Sequence, residues 1–378
     1  MRPASVADYR EAARRRLPRV LFDYIDGGSY AEETLAANVA DIQALKLRQR
    51  VLKDVSKLST ATELFGQSLS MPVVLSPVGL AGMYARRGEA QAARAAKAAG
   101  VPFTLSTVGV CTIDEIAKAA QPPWFQLYMM RDRGFMEHVL QVASEGGCPV
   151  LVFTVDLAVP GARYRDTRNG MIATTAAQRF SQTLDGLAHP SWLWDVQLNG
   201  RPHTLGTVAG ASQDLKRLME FFGWIARNFD PAITWADLDW IRARWKGPIV
   251  IKGVLDVADA CEAVRVGADG IVVSNHGGRQ LDGASSSIRA LPPIAQAVGD
   301  KVSVLMDGGV RSGLDVLKAM ACGARACLIG RAWAWSLGAR GEAGVVHMLQ
   351  ILRQELRVAM ALTGCVDVNS ASADLLAD

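Results

Sequence analysis

Gly270-Ile271-Val272-Val273-Ser274-Asn275-His276-Gly277-Gly278-Arg279-Gln280-Leu281-Asp282 passes from an unbroken apolar stretch straight into a turn that carries an imidazole and a guanidinium. An uninterrupted β-branched run reads as a strand buried on both faces, as in parallel α/β sheets. Functional groups in such sheets collect at the carboxyl ends of the strands. Imidazole takes a proton near neutral pH and a guanidinium forks onto a carboxylate, so His276 with Arg279 suits the deprotonation of an organic acid. Gly277 and Gly278 let a ligand approach the backbone closely. On this string alone, a plain polar βα turn is the competing reading.

The rest of the chain repeats the pattern. Eight short apolar runs read as strands: Pro72–Ser76, Pro102–Ser106, Trp124–Tyr128, Val150–Asp156, Ile249–Gly253, Gly270–Ser274, Val302–Asp307 and Ala326–Gly330. Between them lie Ala-rich stretches with helical spacing, such as Glu89–Ala99, Ile113–Ala120, Val257–Val266 and Leu314–Ala321. Eight βα units predict an α/β fold of the (β/α)8 TIM-barrel type, and no Gly-x-Gly-x-x-Gly follows the first strand to suggest a Rossmann sheet. Residues 1–378 are read as one domain. Residues 157–247 are too many for one crossover and are read as an insertion of loop and helix after strand four.

A barrel should bring functional groups to several strand ends at once. Gln126 and Tyr128 close the third strand, Thr154 and Asp156 the fourth with Arg163 soon after, and Lys252 the fifth. Strands seven and eight end in Asp307-Gly308-Gly309-Val310-Arg311 and Gly330-Arg331, where open backbone plus arginine predicts a phosphate site. No Gly-Lys-Ser/Thr triplet completes a Walker loop. Lys252 ends an otherwise apolar strand, so its ammonium needs an electron-rich neighbour unless it snorkels to the barrel mouth. Asp156 needs a cation for the same reason, with His276 on one reading and Arg163 or Arg279 on another.

Composition narrows the classes. A net charge of +4 with scattered basic residues does not ask for nucleic acid, and Arg14-Arg15-Arg16 is read as a solvated helix face. Six cysteines without a Cys-x-x-Cys pair argue against zinc and disulfide scaffolds, and His138, His189, His203 and His347 form no metal-ligand pair. No metal is expected. Asp8 and Glu11 argue against a transit peptide, and no apolar stretch is long enough to span a bilayer.

The nine-residue histidine motif, with Tyr24, Gln126, Tyr128, Thr154, Asp156, Arg163, Lys252 and Asp307–Arg311, closely resembles the FMN-dependent L-2-hydroxy acid dehydrogenases and oxidases. The resemblance covers nearly the whole chain. It implies FMN at the barrel mouth, lined by Pro77, Val78, Gly79, Ser106, Gln126, Thr154 and Ser274, with Lys252 beside its pyrimidine edge. Its phosphate would lie near Asp307, Gly309, Arg311, Gly330 and Arg331. The same resemblance implies His276 as base, Asp156 as its partner, Arg163 and Arg279 as carboxylate clamp, and Tyr24 and Tyr128 as hydroxyl donors.

Within the family, Leu47–Lys53, Gly82–Gly88 and Pro160–Asp166 look most like the bacterial respiratory L-lactate dehydrogenases. That branch implies oxidation of L-lactate, a quinone or cytochrome acceptor, a peripheral place on the cytoplasmic side of the inner membrane, and a homotetramer. Val108 stands where the glycolate oxidase branch carries an aromatic residue, so size preference is not transferred from that branch. In the insertion, Ser191–Trp194 and Phe221–Ile225 share a segment with Arg179, Lys216, Arg217 and Arg227. This mixture suits a membrane interface, or packing of the insertion onto the barrel. Two other functions are open: an oxidase returning electrons to oxygen as peroxide, and a barrel that binds a phosphorylated metabolite without redox chemistry.

Overall fold

The computed structural model describes residues 3–171, 175–208 and 227–377. Eight parallel strands form one sheet: β1 (Val73–Leu75), β2 (Thr104–Ser106), β3 (Trp124–Leu127), β4 (Leu151–Thr154), β5 (Ile249–Val254), β6 (Gly270–Val273), β7 (Ser303–Asp307) and β8 (Ala326–Ile329). Their order is β1-β8-β7-β6-β5-β4-β3-β2. A parallel bridge of Leu75 to Phe103, with the Leu75 amide donating to Pro102 at 2.9 Å, closes the ring between β1 and β2. The (β/α)8 barrel expected from the apolar runs is the fold observed.

Side chains alternate along a strand, and this period-two rule explains where the site lies. Val74, Trp124, Val152, Val250, Val272, Leu305 and Leu328 form one buried cluster inside the barrel. Leu64 and Leu69 of the hairpin Thr62–Leu64 and Gln67–Leu69 join that cluster, and Phe65 at its turn packs on Trp124. Two residues further along each strand, on the same face, stand Ser76, Gln126, Thr154, Lys252, Ser274, Asp307 and Gly330. The interior thus changes from apolar to polar in a single layer toward the carboxyl ends. Asp156 and Tyr128 continue that register just beyond β4 and β3, in loops instead of in the strands assigned to them from sequence.

Three helices precede the barrel: α1 (Val6–Arg16), α2 (Arg19–Asp26) and α3 (Glu33–Ala44). Ser5 and Asp8 form a capping box that starts α1. Arg14 and Arg15 are exposed as expected, but Arg16 is not part of a solvated face. Its guanidinium holds the carbonyls of Tyr84 and Gly338 and pairs with Asp195 at 2.7 Å, because α1 packs against the helix that follows β8.

Between β4 and β5 the described chain forms helices at Tyr164–Arg168, Ala176–Leu187, Pro190–Trp192 and Asp237–Arg244. The insertion sorts its tryptophans. Trp192 is buried and donates from Nε1 to the Met83 carbonyl at 2.8 Å, whereas Trp194 is 67% exposed. Helix Ala176–Leu187 buries no side chain and leaves Phe180, Leu184 and Leu187 in solvent. Lys216, Arg217 and Phe221–Ile225 lie outside the described residues. No helix among the described residues is long and apolar enough to cross a membrane.

Candidate active site

The carboxyl-end pocket encloses about 1200 Å³, open solvent at its mouth included. Its walls hold Tyr24, Pro77, Val78, Gly79, Tyr128, Thr154, Arg163, Lys252, His276, Arg279, Asp307, Gly309, Arg311, Gly330 and Arg331. Ser106, Gln126, Asp156 and Ser274, also expected at the site, are hydrogen-bonded to each other or to residues of the wall, Asp156 to His276 at 2.8 Å. Ser106 Oγ donates to Gln126 Oε1 at 2.9 Å, and Ser274 Oγ accepts from Lys252 Nζ at 2.9 Å.

His276 sits on a left-handed backbone (φ +57°), an unusual place for a residue with a side chain. Its amide donates to Ser274 Oγ at 3.0 Å, which pins the turn. Its Nδ1 lies 2.8 Å from Asp156 Oδ1, so of the two readings open for Asp156 the histidine pair is the one formed. Burial lowers the pKa of His276 and outweighs the opposing pull of Asp156. Burial would raise Asp156, but the fields of His276 and Lys252 outweigh it and hold the carboxyl below its ordinary value. The pair therefore rests as carboxylate and neutral imidazole, a base with a stabiliser behind it.

Arg163 and Arg279 face the same space. Arg279 donates to the carbonyls of Tyr24 at 2.6 Å and Gly27 at 2.9 Å, and its guanidinium lies over the Tyr24 ring at 4.9 Å. Arg163 lies 5.8 Å from that ring, reaches Asp166 only at 3.8 Å, and keeps its buried Nε without a partner. Burial, then Arg279, lowers the pKa of Arg163. Two neighbouring cations with donors to spare suit a bound carboxylate.

Lys252 is wholly inside. Burial works against its charge, but Asp307 at 2.9 Å and Asp156 beyond it hold its pKa above the ordinary value. The snorkelling alternative does not occur. At β7 and β8, Arg331 donates to the carbonyls of Asp26, Gly27 and Gly277 at 3.2, 2.8 and 2.8 Å. Arg311 donates to the Val310 carbonyl at 2.8 Å and lies over the Trp335 ring. Burial depresses both, Arg311 to about 10, which marks positive charge that no protein group fully compensates.

Glycines at the two ends answer different demands. Gly309 has φ +87°, and a Cβ there would meet the Asn38 carbonyl of α3 at 2.0 Å, so its bareness serves packing. At Gly330 nothing in the protein lies nearer than 3.7 Å to such a Cβ, and the space opens on the pocket at the N-terminus of the helix Arg331–Thr363.

The donor set fits FMN. Ser76 Oγ, Gln126 Nε2, Thr154 Oγ1 and Asp307 Oδ1 are buried at the strand ends without protein partners, ready for the edge of a polar ring system. Arg311, Arg331, Gly330 and the helix N-terminus suit a phosphate. The sequence reading missed Ser76, Tyr84, Leu157, Pro160 and Phe229, which also line the pocket. Ser76 was detectable, since it follows Val74 at the period that places every other polar strand end. Phe229 carried no such signal. Among the described residues no group of acidic, histidine and cysteine side chains could hold a metal.

The FMN-dependent dehydrogenase family model matches residues 13–378. The chain is 60% identical to an L-lactate dehydrogenase of Caulobacter vibrioides over 99% of this chain and 98% of that protein. It is 56% identical to one of Yersinia pestis over 98% and 97%. Among solved structures it resembles the monotopic membrane protein (S)-mandelate dehydrogenase, with TM-score 0.92, 36% identity and 100% of each chain covered. It also resembles a mandelate oxidase, with TM-score 0.84, 39% identity and 99% and 98% covered.

Proposed function

The chain belongs to the FMN-dependent dehydrogenase family and is an FMN-dependent 2-hydroxy acid oxidoreductase, and from that premise we propose that it oxidises L-lactate to pyruvate for a respiratory acceptor. The observation that carries the reading is His276, its Nδ1 2.8 Å from Asp156 Oδ1, in one pocket with Arg163 and Arg279. Relatives at 56–60% identity over nearly the full length, each named L-lactate dehydrogenase, support lactate as substrate.

Arg163 and Arg279 hold the substrate carboxylate, each charge-assisted bond contributing about 1.5–3 kcal/mol. That anchorage turns the substituted carbon toward His276, which takes the proton as the substrate is oxidised. Asp156 stabilises the imidazolium that results. Tyr24 and Tyr128 offer hydroxyls beside the reacting centre. Bound FMN supplies the two-electron sink for this oxidation. It would be held by Pro77–Gly79, Ser106, Gln126, Thr154, Ser274 and Asp307, with Lys252 at the edge where negative charge develops and Gly309, Arg311, Gly330 and Arg331 around the phosphate.

The acceptor in this reading is a quinone or cytochrome, reached from the cytoplasmic face of the inner membrane. Exposed Phe180, Leu184, Leu187, Trp194 and Leu198 in the insertion support a peripheral membrane contact, as does the likeness to a monotopic membrane enzyme. In the same proposal, residues 1–378 form one FMN-binding barrel domain with 157–247 as its insertion, and the chain assembles as a homotetramer.

Anaerobic flavin reduction across a panel of L-2-hydroxy acids tests the substrate. L-lactate should bleach the flavin fastest and D-lactate should not. Faster bleaching by mandelate or glycolate overturns the assignment. Peroxide release in air at the rate seen with an artificial acceptor would overturn the respiratory part.

A further inference from the structure

We infer that Phe229, delivered to the pocket by the insertion, sets the upper size of the substrate's 2-substituent; the inference rests on the proposed 2-hydroxy acid chemistry. With the carboxylate held at Arg163 and Arg279 and the reacting carbon at His276, the substituent is left the apolar part of the wall. There Val108, Leu157 and Phe229 line the pocket. Val108 is a short side chain and closes little space. Phe229 is the largest apolar group of the three and is buried.

Its ring lies against Tyr128, with centroids 4.9 Å apart and planes inclined by 33°. Tyr128 is held from the other side, where its amide donates to Thr107 Oγ1 at 3.1 Å, next to Val108. The Phe229 ring thus completes a wall that begins at the β2 loop and runs across Tyr128.

The backbone, not the ring, anchors this residue. Met130 and Phe229 form an antiparallel bridge, the Arg131 amide donates to the Asn228 carbonyl at 2.9 Å, and the Asp230 amide donates to the Met129 carbonyl at 3.1 Å. Arg133 clasps Asp230 at 2.8 Å. A ring presented by so fixed a backbone can be trimmed while the segment stays in place, which leaves a hole of side-chain size in the substrate pocket. The relatives divide by the size of the acid they are named for, lactate with a methyl group and mandelate with a phenyl ring, so a size filter within this common fold has chemical consequences.

The test compares wild-type holoenzyme with Phe229→Ala and Phe229→Leu, measuring kcat/KM for L-lactate, L-2-hydroxybutyrate, L-2-hydroxyisocaproate and L-mandelate. Flavin content is the check on folding. The ratio of L-2-hydroxyisocaproate or L-mandelate to L-lactate should rise about tenfold or more in Phe229→Ala, with Phe229→Leu between it and wild type. An unchanged ratio in flavin-replete Phe229→Leu overturns the inference, as does an equal loss for every acid. Wild-type enzyme that no L-2-hydroxy acid bleaches overturns instead the functional reading beneath it.

Discussion

At the β7–β8 end of the pocket Arg311 and Arg331 give their hydrogen bonds to backbone carbonyls, whereas at the β4–β6 end His276 and Asp156 are bonded to each other. A carbonyl orients a guanidinium without cancelling its charge, so the first end keeps its attraction for an anion. A carboxylate paired with an imidazole instead tunes a proton affinity. One end is built to hold, the other to move a proton, and each should fail in its own way.

The largest loss should come from His276→Ala, which removes the base and should lower kcat by about 10²–10⁴ while KM for lactate changes little. Stopped-flow flavin reduction measures both, and an equal rise in KM would place His276 on the holding side instead. Asp156→Asn comes next. With a charged hydrogen bond of about 1.5–3 kcal/mol gone, the limiting rate should fall about 10- to 150-fold. Asp156 also raises the pKa of His276, which burial already holds below its ordinary value. Its loss should lower that pKa further and shift the acid limb of kcat/KM to lower pH; an upward shift would contradict the pairing.

Arg331→Gln should act chiefly at the other end. FMN should be retained about tenfold more weakly, as for one lost charge-assisted bond, and added FMN should restore turnover. Equilibrium dialysis of the flavin decides it. The smallest effect on chemistry belongs to Phe180→Ser with Trp194→Ser, which should release the protein from anionic vesicles in a flotation assay and leave turnover with an artificial acceptor unchanged.

Much of this contrast was legible in the chain. Strands buried on both faces read as continuous apolar runs, and the groups that break those runs, Lys252 and Asp307 among them, stand at the strand ends because only there is their charge compensated. The holding end was readable because Gly330-Arg331 and Gly308–Arg311 are local strings. What stayed hidden depends on distant chain. The carbonyls that orient Arg331 come from Asp26, Gly27 and Gly277, and those that orient Arg279 come from Tyr24 and Gly27. No spacing rule links them. Phe229 is in the pocket through a backbone pairing with Met130, and Trp192 and Trp194, two residues apart, part company because only one meets the Met83 carbonyl. Side-chain type does not foretell which ring a neighbouring loop will cover.

The closing seam of the barrel bears on its folding. β1 meets β2 through one bridge, but it meets β8 through Cys327 to Val73, Leu328 to Val74 and Ile329 to Leu75. The earliest barrel strand to be synthesised is therefore fastened chiefly to the latest, across roughly 250 residues of intervening chain, a loop whose closure is slow. Until β8 emerges from the ribosome, β1 keeps an unpaired flank, and a nascent chain in that state is open to pairing with the wrong strand.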